Sequence, residues 1–305
     1  MSNNFSPHIP VLPVEFQELL DINPNGIYID GTFGRGGHSQ IVLDRLSRSG
    51  RLIAFDRDLD AVACAEKLAE MDSRVEVFHS EFSAIPSVVP TLTNAVDGVF
   101  FDLGVSSPQL LTSARGFSFR SEGPLDMRMN QRKGFTAEDW VNSASETEIA
   151  EVLWKFGEER YSRRIAKKIA ARRKIKAIKT TTDLADIIRS STFGSYKIDA
   201  ATRSFQAIRI FINQELAELQ SILESVLDLL SKGGRMLVIS FHSIEDRLVK
   251  HRFRELSRAG VSYGQESISP PYRLLTKKPI RATREEVRFN RRARSARLRG
   301  IECLI

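Results

Sequence analysis

Residues Gly26 to His38 read GIYIDGTFGRGGH, a short apolar run that ends in Asp30 and a glycine-rich turn. The apolar run predicts a buried strand, and the apolar residues that follow at helical spacing predict a helix over residues 38–48. Glycines between a strand and a helix let a ligand approach the backbone closely, because glycine tolerates positive φ. The stretch therefore predicts a nucleotide-binding turn, although an ordinary tight turn would use the same residues.

The neighbouring sequence repeats this alternation of strand and helix. We expect buried strands at residues 51–56, 75–78 and 96–103, with a helix at 61–71. Repeated β-α-β-α units imply a parallel sheet with helices on both faces, and right-handed crossovers then give a doubly wound arrangement. The predicted fold class is therefore α/β with a doubly wound sheet.

Near Leu110 the alternation gives way to helix signals. Thr136, Ser145 and Thr180 each stand three residues before an acidic residue, which is the capping pattern that begins a helix. No buried strand is evident before about Gln206. The sequence thus predicts an all-helical module inserted into the α/β domain.

Sheet-type sequence returns after a long apolar helix pattern. Leucines and isoleucines step by three or four from Ile208 to Leu230 and predict one helix, which Gly233-Gly234 would end. Residues 235–240 then predict a fifth buried strand. We predict the first part of the α/β domain at 1–110, the inserted helical domain at 111–206 and the second part at 207–305.

Asp56, which closes the second strand, is a further sign of a cofactor. A carboxylate there can accept hydrogen bonds from both hydroxyls of a ribose, which favours an adenosine-containing ligand. The alternative role of helix cap has a competitor in Asp58. The glycines lack the G-x-G-x-x-G spacing of a dinucleotide site, and Asp30 would repel a pyrophosphate but attract an ammonium or sulfonium group. S-adenosylmethionine is therefore favoured over NAD.

A third signal follows the strand that ends at Asp102. That strand delivers Asp102 to the carboxyl edge of the sheet, and Ser107-Pro108-Gln109 comes soon after it. Amino-group methyltransferases place a short Asx/Ser-Pro-Pro-aromatic segment at this point, which Ser107-Pro108-Gln109 matches in part. We expect a stiff, polar turn here, and Ser-Pro also forms routine turns without such a role.

Charge indicates a polyanionic partner. The chain carries a net charge of +7, and residues 160–179 hold ten basic residues and no acidic one. Residues 281–299 add eight arginines. Two dense basic runs favour contact with nucleic-acid phosphates over solvated surfaces. The absence of a long apolar run and of a signal-peptide pattern, with only two cysteines, predicts a cytoplasmic protein without a membrane span.

Taken together, the motifs resemble those of the bacterial methyltransferases that modify the exocyclic N4 of a cytosine in small-subunit ribosomal RNA. The similarity runs along nearly the whole chain. It is carried by residues 8–12, 30–38, 102–109, 115–119, 123–129, 157–160, 202–207, 239–247 and 290–295.

The resemblance implies a methyltransferase-type Rossmann domain with the helical insertion. It also implies contacts to S-adenosylmethionine from seven residues: Gly36, Gly37, His38, Asp56, Phe82, Asp102 and Gln109. Phe82 would pack beside the adenine. As catalytic candidates we predict Ser107 or the backbone before Pro108 as acceptor of an amino proton, Pro108 as a rigid support, and His242 to orient the base or carry the proton away. Alternatively His242 bonds within the core, and Glu245 and Asp246 cap the helix that follows it.

The implied partner is small-subunit ribosomal RNA, within an assembled 30S subunit. Phe117 and Phe119 are candidate stacking platforms for an unpaired base or, equally, core residues. The leaving group is neutral, so the transfer needs no metal and none is expected. Three other functions stay open at this point: an RNA-binding assembly factor with a vestigial nucleotide site, an NAD-dependent oxidoreductase and a methyltransferase of DNA.

Overall fold

The computed structural model describes residues 9–193, 199–258, 262–263, 266–267 and 269–305. His8, with which the first resemblance motif begins, lies outside these residues. The chain divides into two compact units, Met1–Gly104 with Ala217–Ile305, and Val105–Leu216. Both predicted boundaries, at 110 and 206, fall inside the second unit, because Val105 and the helix around Phe205 pack into its core.

The first unit is built on a sheet that has seven strands within the described residues, in the order β3-β2-β1-β4-β5-β9-β8. Strands β1 to β5 are parallel, whereas β9 runs antiparallel to β5 and to β8. The order reverses between β1 and β4, so the doubly wound α/β prediction is confirmed. The bounds are β1 Ile27–Asp30, β2 Arg51–Asp56, β3 Val75–His79, β4 Val96–Asp102, β5 Leu230–Ser240, β8 Tyr272–Leu274 and β9 Arg297–Cys303. Two further short strands, β6 Ser262–Tyr263 and β7 Glu266–Ser267, pair with each other.

Helices cover both faces of this sheet, because alternate strand residues enter two separate apolar clusters. On one face Ile29, Val99 and Val238 pack with α11 (Glu215–Ser225) and α12 (Ser243–Leu256). On the other, Tyr28 and Phe100 pack with α1 (Pro13–Leu20) and α2 (Gly37–Leu43). The helices along this unit are α1 Pro13–Leu20, α2 Gly37–Leu43, α3 Leu59–Met71, α4 Ile85–Val88, α12 Ser243–Leu256 and α13 Arg284–Phe289.

The second unit contains helices and connecting loops, with no β-strand among its described residues. Its helices are α5 Ser107–Leu111, α6 Ala137–Ser143, α7 Glu146–Gly157, α8 Ser162–Ile175, α9 Thr181–Arg189 and α10 Ala201–Ile212, and α11 Glu215–Ser225 begins at its end. The predicted caps are confirmed: the side chains of Thr136, Ser145 and Thr180 accept from backbone N–H groups three residues on. The core joins Trp140, Ile149 and Ile169 with residues of every other long helix of the unit.

The predicted long helix from Ile208 to Leu230 is wrong. The helix ends at Ile212 and a new helix begins at Glu215. Between them Gln214 has a φ of 51°, and the buried Asn213 side chain forms hydrogen bonds with the backbone of Met127 and Met129. Gly233-Gly234 is no helix end either, since it lies within β5. A side chain at Gly234 would approach the Val96 carbonyl to 2.6 Å, so the glycine serves close strand packing.

Among the described residues, no helix has the length and apolar character needed to cross a membrane.

Candidate functional site

Asp30 and the glycine turn form the centre of the first unit's carboxyl edge. The Asp30 side chain is only 2% exposed; Oδ1 accepts from the Thr32 N–H at 3.0 Å and Oδ2 from the Ser39 hydroxyl at 2.7 Å. Burial raises the pKa of Asp30 to about 7. Gly36, the cap of α2, has a φ of 75°, and a Cβ there would meet the Phe33 ring at 2.7 Å. Asp30 therefore fixes the conformation of the turn through these two hydrogen bonds, and position 36 of the turn requires glycine.

Asp56 closes β2 beside this turn. Its Oδ2 accepts from the Gly34 N–H and its Oδ1 from the Asp58 N–H, both at 2.8 Å. Burial raises the pKa of Asp56. The competing role of helix cap falls to Asp58, which accepts from Asp60 at the start of α3. Each carboxylate oxygen of Asp56 has a second lone pair, so the side chain can still accept from ribose hydroxyls.

Asp102 and His38 form a pair of facing polar groups. The Asp102 N–H donates to the Thr32 hydroxyl at 2.6 Å, which ties the end of β4 to the glycine turn. Asp102 Oδ2 lies 3.6 Å from His38 Nδ1, while Oδ1 is buried without a hydrogen-bond partner in the described part of the chain. An unpartnered buried carboxylate oxygen is unfavourable, so this atom calls for a ligand donor such as an ammonium group.

The protonation of this pair follows from its surroundings. His38 Nε2 lies 3.0 Å from the Val11 carbonyl, which can only accept, so Nε2 carries the proton and Nδ1 faces Asp102 with a lone pair. Burial lowers the pKa of His38 to about 4. Burial also raises the pKa of Asp102 to about 7, against the opposing charge of Arg292 and with a contribution from Glu245. Neutral His38 thus adds no positive charge beside Asp102, and the opposing charge that acts on this carboxylate comes from Arg292.

Phe82 and Gly37 lie elsewhere along the same edge. Phe82 follows β3, is 8% exposed and packs edge-to-face on Phe101 with ring centroids 5.5 Å apart. It is therefore part of the core, and its contact with an adenine stays a prediction. Gly37 is the first residue of α2, directly after the Gly36 cap.

Ser107, Pro108 and Gln109 belong to the second unit. The expected stiff turn is instead the start of helix α5, because Ser106 and Gln109 form a capping box and Pro108 fits the first helical turn. The Gln109 Oε1 accepts from the Ser106 N–H at 2.9 Å, and the residue is 5% exposed. Ser107 and Pro108 are half-buried.

His242 caps helix α12 at the end of β5. Its Nδ1 accepts from the Glu245 N–H at 3.4 Å, and Glu245 Oε2 accepts from the Phe241 and His242 N–H groups. The prediction that Glu245 caps this helix is confirmed. For Asp246 it is wrong, because that carboxylate pairs with Arg299 at 2.6 Å. His242 Nε2 lies 3.0 Å from Glu245 Oε1 but is not aligned for a hydrogen bond.

The two basic runs differ in how much of their charge is used internally. In the first, Arg173 donates to the Val141 carbonyl at 2.7 Å and the Arg164 guanidinium stacks 3.8 Å from the Phe193 ring centroid. Several other cations are exposed and have no partner in the described part of the chain: Arg163, Lys167, Lys174, Lys176 and Lys179. In the second, Arg299 and Arg297 pair with Asp246.

Phe117 is a core residue of the second unit, whereas Phe119 is partly buried against that core. Phe117 is 7% exposed, and Phe119 packs edge-to-face on Phe205 with centroids 4.8 Å apart. The site residues that the sequence reasoning missed are Thr32, Val11 and Arg292. All three lie in stretches that carry the family resemblance, but each acts on Asp102 or His38 across a long stretch of chain, so their spacing alone does not show these contacts.

Comparisons with known proteins agree along the whole chain. The sequence model of the MraW methylase family matches residues 5–304. A protein of Xanthomonas euvesicatoria called ribosomal RNA small subunit methyltransferase H is 47% identical over 308 residues, which cover all of this chain and 91% of the relative. A protein of the same name from Chromobacterium violaceum is 47% identical over 310 residues, covering 98% of this chain and 96% of the relative. A solved rRNA methylase from Streptococcus thermophilus covers 96% of this chain and 97% of that one at 11% identity, with a TM-score of 0.43.

Proposed function

Because the chain belongs to the MraW methylase family, we propose that it transfers the methyl group of S-adenosylmethionine to the exocyclic N4 of a cytidine in small-subunit ribosomal RNA. The observation that carries the proposal is the unpartnered Oδ1 of Asp102 beside neutral His38. This arrangement suits the ammonium group of an amino-acid cofactor. The rival assembly factor has no use for such a site, so an intact one favours catalysis.

Residues of the first unit would hold the methyl donor. Asp56 accepts from the ribose hydroxyls, Asp102 accepts from the ammonium group, and Phe82 lies beside the adenine. Gly36 and Gly37 have no side chain to cover the backbone, so the donor can approach it closely at these positions. Gln109 is included through the family resemblance. When bound, S-adenosylmethionine supplies an electrophilic methyl group on a sulfonium.

The target nitrogen is a weak nucleophile, because its lone pair is delocalised into the cytosine ring. The protein must align nitrogen, carbon and sulfur, and such orientation can contribute about 7–11 kcal/mol. Ser107 Oγ or the carbonyl before Pro108 accepts a hydrogen bond from the amino group, which favours the pyramidal nitrogen of the transition state. Pro108 holds this acceptor in place, and His242 orients the base or takes the proton afterwards.

The second unit would bind RNA. A groove of about 710 Å³ between α7 and the start of α8 is lined by Trp154, Tyr161, Arg160 and Arg163, together with two glutamates of α7. Trp154 is 62% exposed and offers a face on which an unpaired base can stack. The free cations of α8 would contact phosphates, which gives affinity without sequence choice. Selection of the target then depends on folded RNA in the assembled 30S subunit, in the cytoplasm.

The test is transfer of radiolabelled methyl groups to small ribosomal subunits from cells that lack this protein, with naked ribosomal RNA and duplex DNA in parallel. N4-methylcytidine in the subunit sample is expected. Ser107→Ala with Pro108→Ala should slow transfer while donor affinity is kept. Transfer at the wild-type rate would remove this segment from the mechanism. Tight donor binding without transfer to any substrate would favour the assembly factor.

A further inference from the structure

The two ends of the chain meet beside His38. The Leu12 N–H donates to Glu286 Oε1 at 2.7 Å, and the Asn290 side-chain amide donates to the Ile9 carbonyl at 3.1 Å. These bonds hold the short segment 9–12 from both sides, and Val11 lies between them. All these residues belong to the first unit.

This held segment supplies the acceptor that orients His38. The Val11 carbonyl is the hydrogen-bond partner of His38 Nε2, and the ring also packs against Phe16 with centroids 4.6 Å apart. Leu12 has a φ of 53°, a backbone conformation that a residue with a branched side chain adopts only when its surroundings impose it. The contacts from Glu286 and Asn290 are well placed to impose it.

The tautomer of His38 decides what Asp102 offers a ligand. With the proton on Nε2, the ring presents a lone pair to Asp102 and leaves that carboxylate free to accept from a bound ammonium group. If the Val11 carbonyl moved away, the proton could shift to Nδ1. The ring would then donate to Asp102 Oδ2 and compete with the ligand for the same carboxylate.

We propose that Glu286 and Asn290 are positioning residues of the donor site, which fix the 9–12 segment so that His38 keeps its proton on Nε2. The inference rests on the proposed use of S-adenosylmethionine. It extends the donor site to the C-terminal α13 region, which no local pattern of the cofactor turn includes. Glu286 lies in α13 and accepts the Leu12 N–H, while the adjacent Glu285 is exposed.

The experiment compares Glu286→Ala, Glu286→Gln and Asn290→Ala, with Glu285→Ala as the matched control. Glutamine keeps an oxygen that can accept from Leu12, so Glu286→Gln should bind like the wild type. The two probes are S-adenosylmethionine and methylthioadenosine, which shares the adenosine but has no ammonium group. We expect Glu286→Ala and Asn290→Ala to weaken the binding of S-adenosylmethionine roughly tenfold, which is about the loss of one hydrogen bond. The affinity for methylthioadenosine should stay unchanged.

A second readout is the ¹⁵N spectrum of the His38 ring, assigned through its loss in His38→Gln. The wild type should carry the proton on Nε2, and Glu286→Ala should shift population toward Nδ1. A proton on Nδ1 in the wild type would overturn the proposal, even if the alanine variants did not fold. An equal loss of affinity for both probes, or no change in affinity for either, would also overturn the proposal. A wild type that binds no S-adenosylmethionine would instead contradict the proposed function itself.

Discussion

Replacing Asp102 by asparagine removes the charge of the carboxylate while keeping its shape. The side chain as a whole is 26% exposed, but Oδ1 is buried and unpartnered. A hydrogen bond to a charged group contributes about 1.5–3 kcal/mol, so we expect Asp102→Asn to weaken S-adenosylmethionine about 10- to 150-fold at pH 8. Calorimetric titration measures this loss directly.

The pH dependence gives an independent check. Burial raises the pKa of Asp102 to about 7, so the carboxyl is mostly ionised at pH 8 and mostly protonated at pH 6. Wild-type affinity should therefore fall roughly tenfold between these values. In Asp102→Asn the loss of donor affinity between pH 8 and pH 6 should be smaller. Any loss that remains would come from protonation of Asp30, because burial also raises the pKa of Asp30 to about 7.

Stability should change in the opposite direction to affinity. An acid whose pKa is raised on folding destabilises the folded state as pH rises from the unfolded-state pKa toward the folded one. The rise from 3.8 to about 7 sets an upper limit of about 4 kcal/mol, which partial exposure reduces to about 1–2 kcal/mol. The Asp102→Asn variant should therefore gain stability relative to the wild type between pH 4 and pH 8 in urea unfolding.

If Asp102→Asn bound the donor as tightly as the wild type at pH 8, the proposed contact between Asp102 and the ammonium group would be refuted.

Three further predictions concern the turn, the helix cap and the basic helix. Gly36→Ala should lower the free energy of unfolding by about 1–2 kcal/mol, since φ is 75° and Phe33 blocks a Cβ; urea unfolding would contradict this if the midpoint did not move. His242→Ala should cost about 1 kcal/mol through the lost cap, and full transfer activity in the folded variant would leave His242 a purely structural residue. Arg163→Gln with Lys167→Gln should reduce the slope of log affinity for RNA against log salt by about two, which filter binding measures; an unchanged slope would exclude both from phosphate contact.

The five parallel strands were predictable from the sequence because buried parallel strands read as continuous apolar runs, whereas the antiparallel β8 and β9 were not predicted. β2 was predicted at its observed bounds, 51–56, and β4 one residue too long. The helix break at Asn213 was not predictable. The apolar spacing continues through it, and the break depends on bonds to Met127 and Met129, far away along the chain. A spacing pattern reports which face is buried but not where a distant backbone interrupts the helix.

The candidate site divides in the same way. Asp30, Asp56 and Asp102 were identified because each directly closes a strand, and the carboxyl ends of parallel strands meet at one edge. Their protonation could not be read from the sequence, because burial sets the pKa of all three. The lone pair on His38 Nδ1 faces Asp102 because Nε2 bonds to the Val11 carbonyl. The residues on either side of Val11 are in turn held by hydrogen bonds to Glu286 and Asn290 near the C-terminal end of the chain. Local patterns thus identify the acidic groups of such a site. Contacts between distant segments decide which of these groups can accept a hydrogen bond from a ligand.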